Sequence, residues 1–407
     1  MCMPKHIVIV GAGQCAAQAV ETLRRRGYTE SLTVIGDEPL PPYQRPPLSK
    51  KYLTGSLEPE RLLIRQPSFY EEHGVVMRLG RRAVRIDRAA RQVQLDDGAT
   101  LAYDTLLLAT GSRARRLAVP GADLPGVHTL RSLADVDAIR AAAQPGRQAV
   151  IVGGGYIGLE AAATLRELGL EVTVIELADR VMNRVVCEQV SRFYEAEHAR
   201  HGVQILLRSG LDAFVGDTRL RAVRDAGGTA HPADLAIVGV GVLPVDELAR
   251  EAGIACDNGI LVDEYCRSND PHIFAAGDCT SHPSLRYDRG VRLESVDNAF
   301  EQGTSAALNM LGIATVHDKT PWFWSDQYDL KMVIVGLSQG HDRIVLRGDP
   351  ATRSFSACYL REGELIAIDT VNSPRDQMAA RKLIAARARP DPARLADIML
   401  PLKDCAG

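Results

Sequence analysis

Between Cys15 and Cys187 the chain contains no cysteine. Its eight cysteines lie at 2, 15, 187, 256, 266, 279, 358 and 405, and no two have CxxC spacing. That excludes a zinc ribbon and a thioredoxin-type dithiol. A chain of 407 residues does not need disulfides to stabilise its core, so free thiols in a reducing cytoplasm are expected. The chain also lacks any apolar run near the ~18 residues of a membrane helix. The early run HIVIV is too short for a secretory signal and stops at a glycine turn. Neither sign of charge dominates: 48 Lys and Arg stand against 51 Asp and Glu, for a net charge of −3. Nucleic acid and membrane are therefore not expected as partners. The pair His198 and His201, in EHARH, reads as a solvated helix end, and no metal site is expected.

What is present is a repeated supersecondary unit. KHIVIVGAGQCAAQAVETLRRRG reads as buried strand, glycine turn and helix, and the strand LTVIGDE follows. RQAVIVGGGYIGLEAAATLRELGLEVTVIEL repeats the layout about 140 residues later. Two such units imply two bound nucleotides. QVQLDDGATLAYD carries the Asp-Gly signature of a hairpin. Beyond about residue 318, short strands with Gly and Asp turns precede a helix near PRDQMAARKLIAARA, an α+β pattern without a glycine cradle.

The first cradle is Gly11-Ala12-Gly13-Gln14-Cys15-Ala16. Its first glycine permits a tight turn, its second admits a pyrophosphate to the backbone, and the small sixth residue lets helix and strand pack. Helix N-terminal amides then face the phosphates. Asp37, after the second strand, is placed to accept from a ribose. The second cradle, Gly153-Gly154-Gly155-Tyr156-Ile157-Gly158, has the full GxGxxG form, and its strand ends at Glu176, 23 residues after Gly153. A carboxylate there accepts from both ribose hydroxyls and repels a 2′-phosphate, which favours NADH. Arg180, close behind it, reads as a solvated loop charge. Glu160 is read as a first-turn acid, either complementing the helix dipole or facing the nicotinamide end. The segment YQRPPLSK (43–50) supplies two prolines for stiffness and two cations, Arg45 and Lys50.

These motifs, with LLLATGS before the second cradle, FAAGDC after it, RLESVDNAFEQG (292–303), PWFWSDQYDLKMVIVG (321–336) and MAARKLIA (378–385), resemble the pyridine nucleotide–disulfide oxidoreductases. Within them the likeness is to FAD-dependent NADH:ferredoxin reductases of bacterial oxygenase systems, of the putidaredoxin reductase and biphenyl dioxygenase reductase type. It runs over essentially the whole chain. The resemblance implies an α/β fold of two Rossmann-like dinucleotide-binding domains plus a C-terminal α+β domain, in a glutathione-reductase-like architecture. It implies an FAD domain at 1–113 and 245–317, an NADH domain at 114–244 and an interface domain at 318–407.

By the same resemblance FAD would be held by Gly11, Gly13, Gln14, Cys15, Ala16, Asp37, Arg45, Lys50, Val84, Thr110, Gly111, Arg131, Gly277, Asp278, Ser295 and Val296. NADH would be held by Gly153, Gly155, Tyr156, Ile157, Gly158, Glu160, Glu176 and Gly241. Lys50, Glu160 and Trp324 would serve the reaction, with Glu160 the partner of Lys50 and Trp322 the other candidate aromatic. Asp278 would hold the flavin's ribityl or phosphate chain, or cap a following helix. The partner would be an acidic 2Fe–2S ferredoxin that feeds a haem-thiolate or Rieske-type oxygenase. It would dock on the C-terminal and FAD-domain side, with the basic run 375–394 as candidate patch, and the reductase would be a monomer or weak homodimer. Disulfide reductases carry a CxxxxC pair and peroxide-reducing relatives a single loop cysteine; both are missing here. An NADH peroxidase or oxidase, and a flavoprotein whose NADH-controlled partner binding is its function, are the competing readings.

Overall fold

The computed structural model describes residues 3–405. Contacts divide them into two compact units, one made of residues to Gln44, Pro59–Arg113 and Leu243–Lys319, the other of Arg45–Glu58, Ala114–Val242 and Thr320 onward.

The first unit is built on a five-stranded parallel sheet. Its order is Ile273–Ala275, Thr105–Leu108, His6–Val10, Ser31–Gly36, Val75–Leu79. The central strand is apolar almost throughout because both its faces are covered. On one face Ile7 and Ile9 pack with Ala16, Val20 and Leu23 of helix Gln14–Arg25 and with Ala306 and Ala307 of helix Val296–Met310. On the other, Val8 and Val10 pack against Ile86, Val93 and Ile254. The Asp-Gly hairpin forms as expected, joining Gln92–Leu95 to Thr100–Ala102.

The second unit repeats that sheet in the order Gln204–Leu206, Glu171–Ile175, Gln148–Val152, Leu235–Val238, Val127–Thr129, again all parallel. It also contains a five-stranded antiparallel sheet in the order Trp322–Gln327, Leu330–Gly336, Glu364–Val371, Ser354–Arg361, Arg343–Asp349. Helix Pro374–Ala385 covers this sheet through Ala380, Leu383 and Ile384.

Residues 45–58 pack inside the second unit. Leu48 and Ser49 of the 3-10 turn Pro46–Ser49 are buried. Thr164 of helix Tyr156–Glu167 donates to the Ser49 carbonyl at 2.8 Å. Tyr52 donates to Asp137 at 2.7 Å, and the Arg140 guanidinium lies over its ring. No helix among the described residues is long and apolar enough to cross a membrane.

Two helix-end cradles and a carboxylate fed by three donors

The two cradles have the same geometry because the same register sets them. Val10 pairs with Ile35 and Val152 with Ile175. The next amides, Gly11 and Gly153, each donate at 2.8 Å to the carbonyl of that partner. Both glycines are left-handed, at φ +110° and +107°. A Cβ would lie 2.1 Å from the Ala109 carbonyl oxygen at Gly11 and 2.6 Å from that of Gly239 at Gly153. Only glycine fits.

The cradle mouths are different. Gly13 and Gly155 cap helices Gln14–Arg25 and Tyr156–Glu167, no side chain caps either helix, and neither carries an acid in its first turn. A Cβ at Gly13 or Gly155 would meet nothing within 4 Å. Uncapped amides facing open space at two equivalent helix ends fit the pyrophosphates of two dinucleotides.

Glu176 follows its strand directly. It accepts from the Gly154 amide at 2.6 Å and the Ala178 amide at 2.7 Å, which fixes its carboxylate at the cradle rim. In the first cradle that register position is Gly36, and Asp37 comes one residue later, exposed. Arg180 is not a solvated charge. Its guanidinium is held by the carbonyls of Val186 and Asn183 and by Ser191, at 2.8–2.9 Å.

In the first unit, Ser112 donates to Asp278 at 2.7 Å and Thr110 to the Val245 carbonyl at 2.6 Å. Asp278 caps no helix: the chain continues into strand Thr280–Ser284. The Gly277 amide is held by Gln302 at 2.8 Å. Ser295 caps helix Val296–Met310 by accepting from the Asn298 amide. Cys15 is packed between Gly277 and Gly303, and a Cβ at Gly303 would lie 2.8 Å from the Cys15 carbonyl oxygen. Val84 is on the antiparallel strand Ala83–Asp87, 41% exposed. Gly111 and Gly241 are left-handed turn residues.

In the second unit, Lys50 and Glu160 meet, Nζ to Oε2, at 2.6 Å. Ser49 donates to the same oxygen at 2.6 Å, and Ser325 donates to Oε1 at 2.7 Å. Glu160 is 5% exposed, and a carboxylate so deep needs these donors. It is not a first-turn acid. The helix starts at Tyr156, directly behind the open cradle, which makes Glu160 its fifth residue. The dipole argument therefore does not account for it, because that effect fades beyond the first turn. Arg45 donates to the Arg131 carbonyl at 2.7 Å.

Trp322 and Trp324 are half-buried and stacked at 5.4 Å, and the Arg381 guanidinium lies 3.9 Å over the Trp322 ring. Phe323, on the other face of that strand, packs on Tyr156 at 4.4 Å. His198 is not solvated either. It is fully buried, bonded to Gln327 at 2.8 Å, and burial pushes it down to about 4. The helix Glu188–Arg200 turns this residue inward, whereas its neighbour His201 stacks on Tyr328.

All seven described cysteines, Cys15, Cys187, Cys256, Cys266, Cys279, Cys358 and Cys405, have thiols pushed up by burial. Thiolate chemistry needs the opposite shift. No group of three or more His, Cys, Asp or Glu suited to a metal occurs among the described residues.

The Ser49 hydroxyl stands out in segment 43–50 but has no role legible in the sequence, and Ser325 and Gln302 lie within segments 321–336 and 292–303 with no role assigned to either. Two signals were there. Phe323, Ser325 and Gln327 alternate along one strand face, and Asn298 and Gln302 recur at helical spacing on a buried face.

The chain belongs to the pyridine nucleotide-disulphide oxidoreductase family, whose model matches residues 5–303, and a reductase C-terminal domain matches residues 322–406. Membership implies FAD and a nicotinamide dinucleotide, which the two open helix ends fit. The chain is 44% identical over 400 residues to the 5,5'-dehydrodivanillate O-demethylase ferredoxin reductase subunit of a Sphingobium species, covering 98% of this chain and 97% of that one. It is 40% identical to putidaredoxin reductase of Pseudomonas putida, covering 98% and 96%. The crystal structure of a covalent putidaredoxin reductase–putidaredoxin complex superposes with a TM-score of 0.96 at 40% identity, covering 98% of this chain and 97% of that one.

Proposed function

We propose that the protein is an NADH:ferredoxin oxidoreductase that supplies an oxygenase system through a 2Fe–2S ferredoxin. In this reading FAD is held by residues 1–113 and 245–317, NADH by 114–244, and residues 318–407 form the partner-facing domain. FAD, when bound, would supply the redox chemistry that couples a two-electron nicotinamide donor to one-electron iron–sulfur acceptors, with the hydride's proton passing to solvent.

The chain's own residues orient and charge the site. The cradle amides bind the two pyrophosphates. Glu176 accepts from the adenosine ribose and opposes a 2′-phosphate. Arg180, four residues after Glu176, is already held by the carbonyls of Val186 and Asn183 and by Ser191, which supports NADH over NADPH. Lys50 would supply the positive charge that the reaction of a bound flavin calls for, and Glu160 holds its ammonium in place.

The observation that carries the reading is the state of the thiols. A disulfide or peroxide reductase of this family needs an activated cysteine, and burial raises every described one. The ferredoxin is proposed to dock at the run 375–394. Within it Asp376 pairs with Arg347 at 3.0 Å, Arg375, Lys382, Arg387, Arg389 and Arg394 are exposed along with Asp391, and Arg381 is half-buried. An acidic partner complements that surface.

The test is NADH oxidation by the FAD-loaded protein with three acceptors: a 2Fe–2S ferredoxin panel, hydrogen peroxide and a low-molecular-weight disulfide. Turnover is expected only with ferredoxin. Rapid peroxide or disulfide turnover without ferredoxin would overturn the reading.

A further inference from the structure

The Ser325 hydroxyl that reaches Glu160 is itself the end of a longer chain of hydrogen bonds. Gln327 Nε2 donates to Ser325 Oγ at 3.2 Å. His198 Nε2 meets Gln327 Oε1 at 2.8 Å, and Tyr328 OH meets His198 Nδ1 at 3.1 Å. Every side chain except Tyr328 is buried.

The direction of each bond follows from one fact: an ionised carboxylate only accepts. Ser325 must donate to Glu160, so its oxygen is open to the Gln327 amide. The Gln327 carbonyl must then accept from a protonated Nε2 of His198. That tautomer leaves Nδ1 to accept from Tyr328. Burial favours the neutral imidazole this needs and keeps the Tyr328 phenol protonated. Four bonds thus point the same way and end on Glu160 Oε1, while Ser49 and Lys50 occupy Oε2. Aligned bonds in a low dielectric polarise one another.

The chain is made by strand alternation. Phe323, Ser325 and Gln327 lie on the strand face turned to helices Tyr156–Glu167 and Glu188–Arg200, and Trp322 and Trp324 lie on the other.

We infer that Ser325, backed by Gln327, His198 and Tyr328, is a positioning residue for the hydride step: it fixes the rotamer of Glu160 and through it the ammonium of Lys50. The strand that carries the tryptophan pair thereby controls the cation on which the proposed reaction rests. The inference depends on the role given above to Lys50 and Glu160.

The test uses the FAD-loaded full chain as wild type, S325A, S325T, Q327M, K50M and S325A/K50M. One readout is the limiting rate of flavin reduction by NADH. The other, independent of activity, is acylation of Lys50 relative to exposed Lys51 in the same peptide, followed by mass spectrometry. S325A is expected to slow reduction about tenfold, the scale of one hydrogen bond to a charged group. It should raise the Lys50:Lys51 labelling ratio severalfold and add nothing in the K50M background. Q327M should act in the same direction more weakly, and S325T, which keeps the hydroxyl, should stay near wild type. An unchanged labelling ratio in both S325A and Q327M, or a full additive loss in the double variant, would overturn the inference. A K50M protein that reduces at the wild-type rate would instead sink the assigned role of Lys50, and the labelling ratio would still decide the role of Ser325.

Discussion

At the scale of single residues, the Lys50–Glu160 pair carries most of the argument. The sequence showed a cation in a stiff segment and an acid on a cradle helix, 110 positions apart. It could not show Ser49 and Ser325 on the same carboxylate, because that convergence comes from three separate pieces of chain. K50M should remain folded, since Glu160 keeps two hydroxyl donors. It should lose about 1.5–3 kcal/mol in denaturant unfolding. Its flavin reduction by NADH should be slower or its FAD affinity weaker, measured by stopped-flow absorbance and flavin release.

His198 supplies a pH prediction. Folded, it is pushed down to about 4; an unfolded histidine titrates near 6.5. In that interval only the unfolded chain takes up the proton. The stability that depends on a neutral His198 is complete above pH 6.5 and falls as pH drops towards 4, by up to roughly 3 kcal/mol. Burial also lowers His317, His282 and His128, so they add to the slope. Urea midpoints between pH 7.5 and 5 should show it, with H198Q visibly flatter than wild type.

At the scale of elements, the cradle glycines divide into two kinds, and the motif alone does not separate them. Gly11 is closed in by the Ala109 carbonyl; Gly13 faces open space. G11A should therefore cost the fold on the order of 3 kcal/mol or more, from a left-handed φ and a backbone overlap. G13A should leave the melting temperature of the apoprotein nearly unchanged, because a Cβ there meets nothing within 4 Å, yet weaken FAD binding if the proposed pyrophosphate lies in that space. Calorimetry of the apoprotein and flavin titration would separate the two. Strands and cradle helices were legible because glycine spacing and apolar runs are local signals. Glu160 reads from the sequence as a first-turn acid but is the fifth residue of helix Tyr156–Glu167, whose cap is a glycine and not a side chain that sequence could flag. For the same reason Asp278 was open to reading as a helix cap, although a strand follows it.

At the scale of the whole molecule, the prediction concerns the partner. If an acidic ferredoxin docks on run 375–394, ferredoxin-dependent cytochrome c reduction should fall steeply between low and physiological salt. Direct flavin reduction by NADH should barely change. Charge reversal at exposed Arg387 or Arg394 should reproduce the salt effect at constant ionic strength. A rate indifferent to salt would remove this surface as the dock.

The sequence by itself determined the repeated cradle, its parallel strands, the run of short C-terminal strands closed by a helix and the lack of a redox cysteine pair. These follow from local periodicity, glycine placement and spacing, which neighbouring residues carry. Tertiary structure decided that residues 45–58 pack beside the second cradle helix, that His198 is interior, that Arg180 is spent on its own loop, and that a strand near residue 325 reaches Glu160. Each of these is a pairing of side chains distant along the chain, and burial and hydrogen-bond satisfaction select among such pairings only once the whole fold is in place.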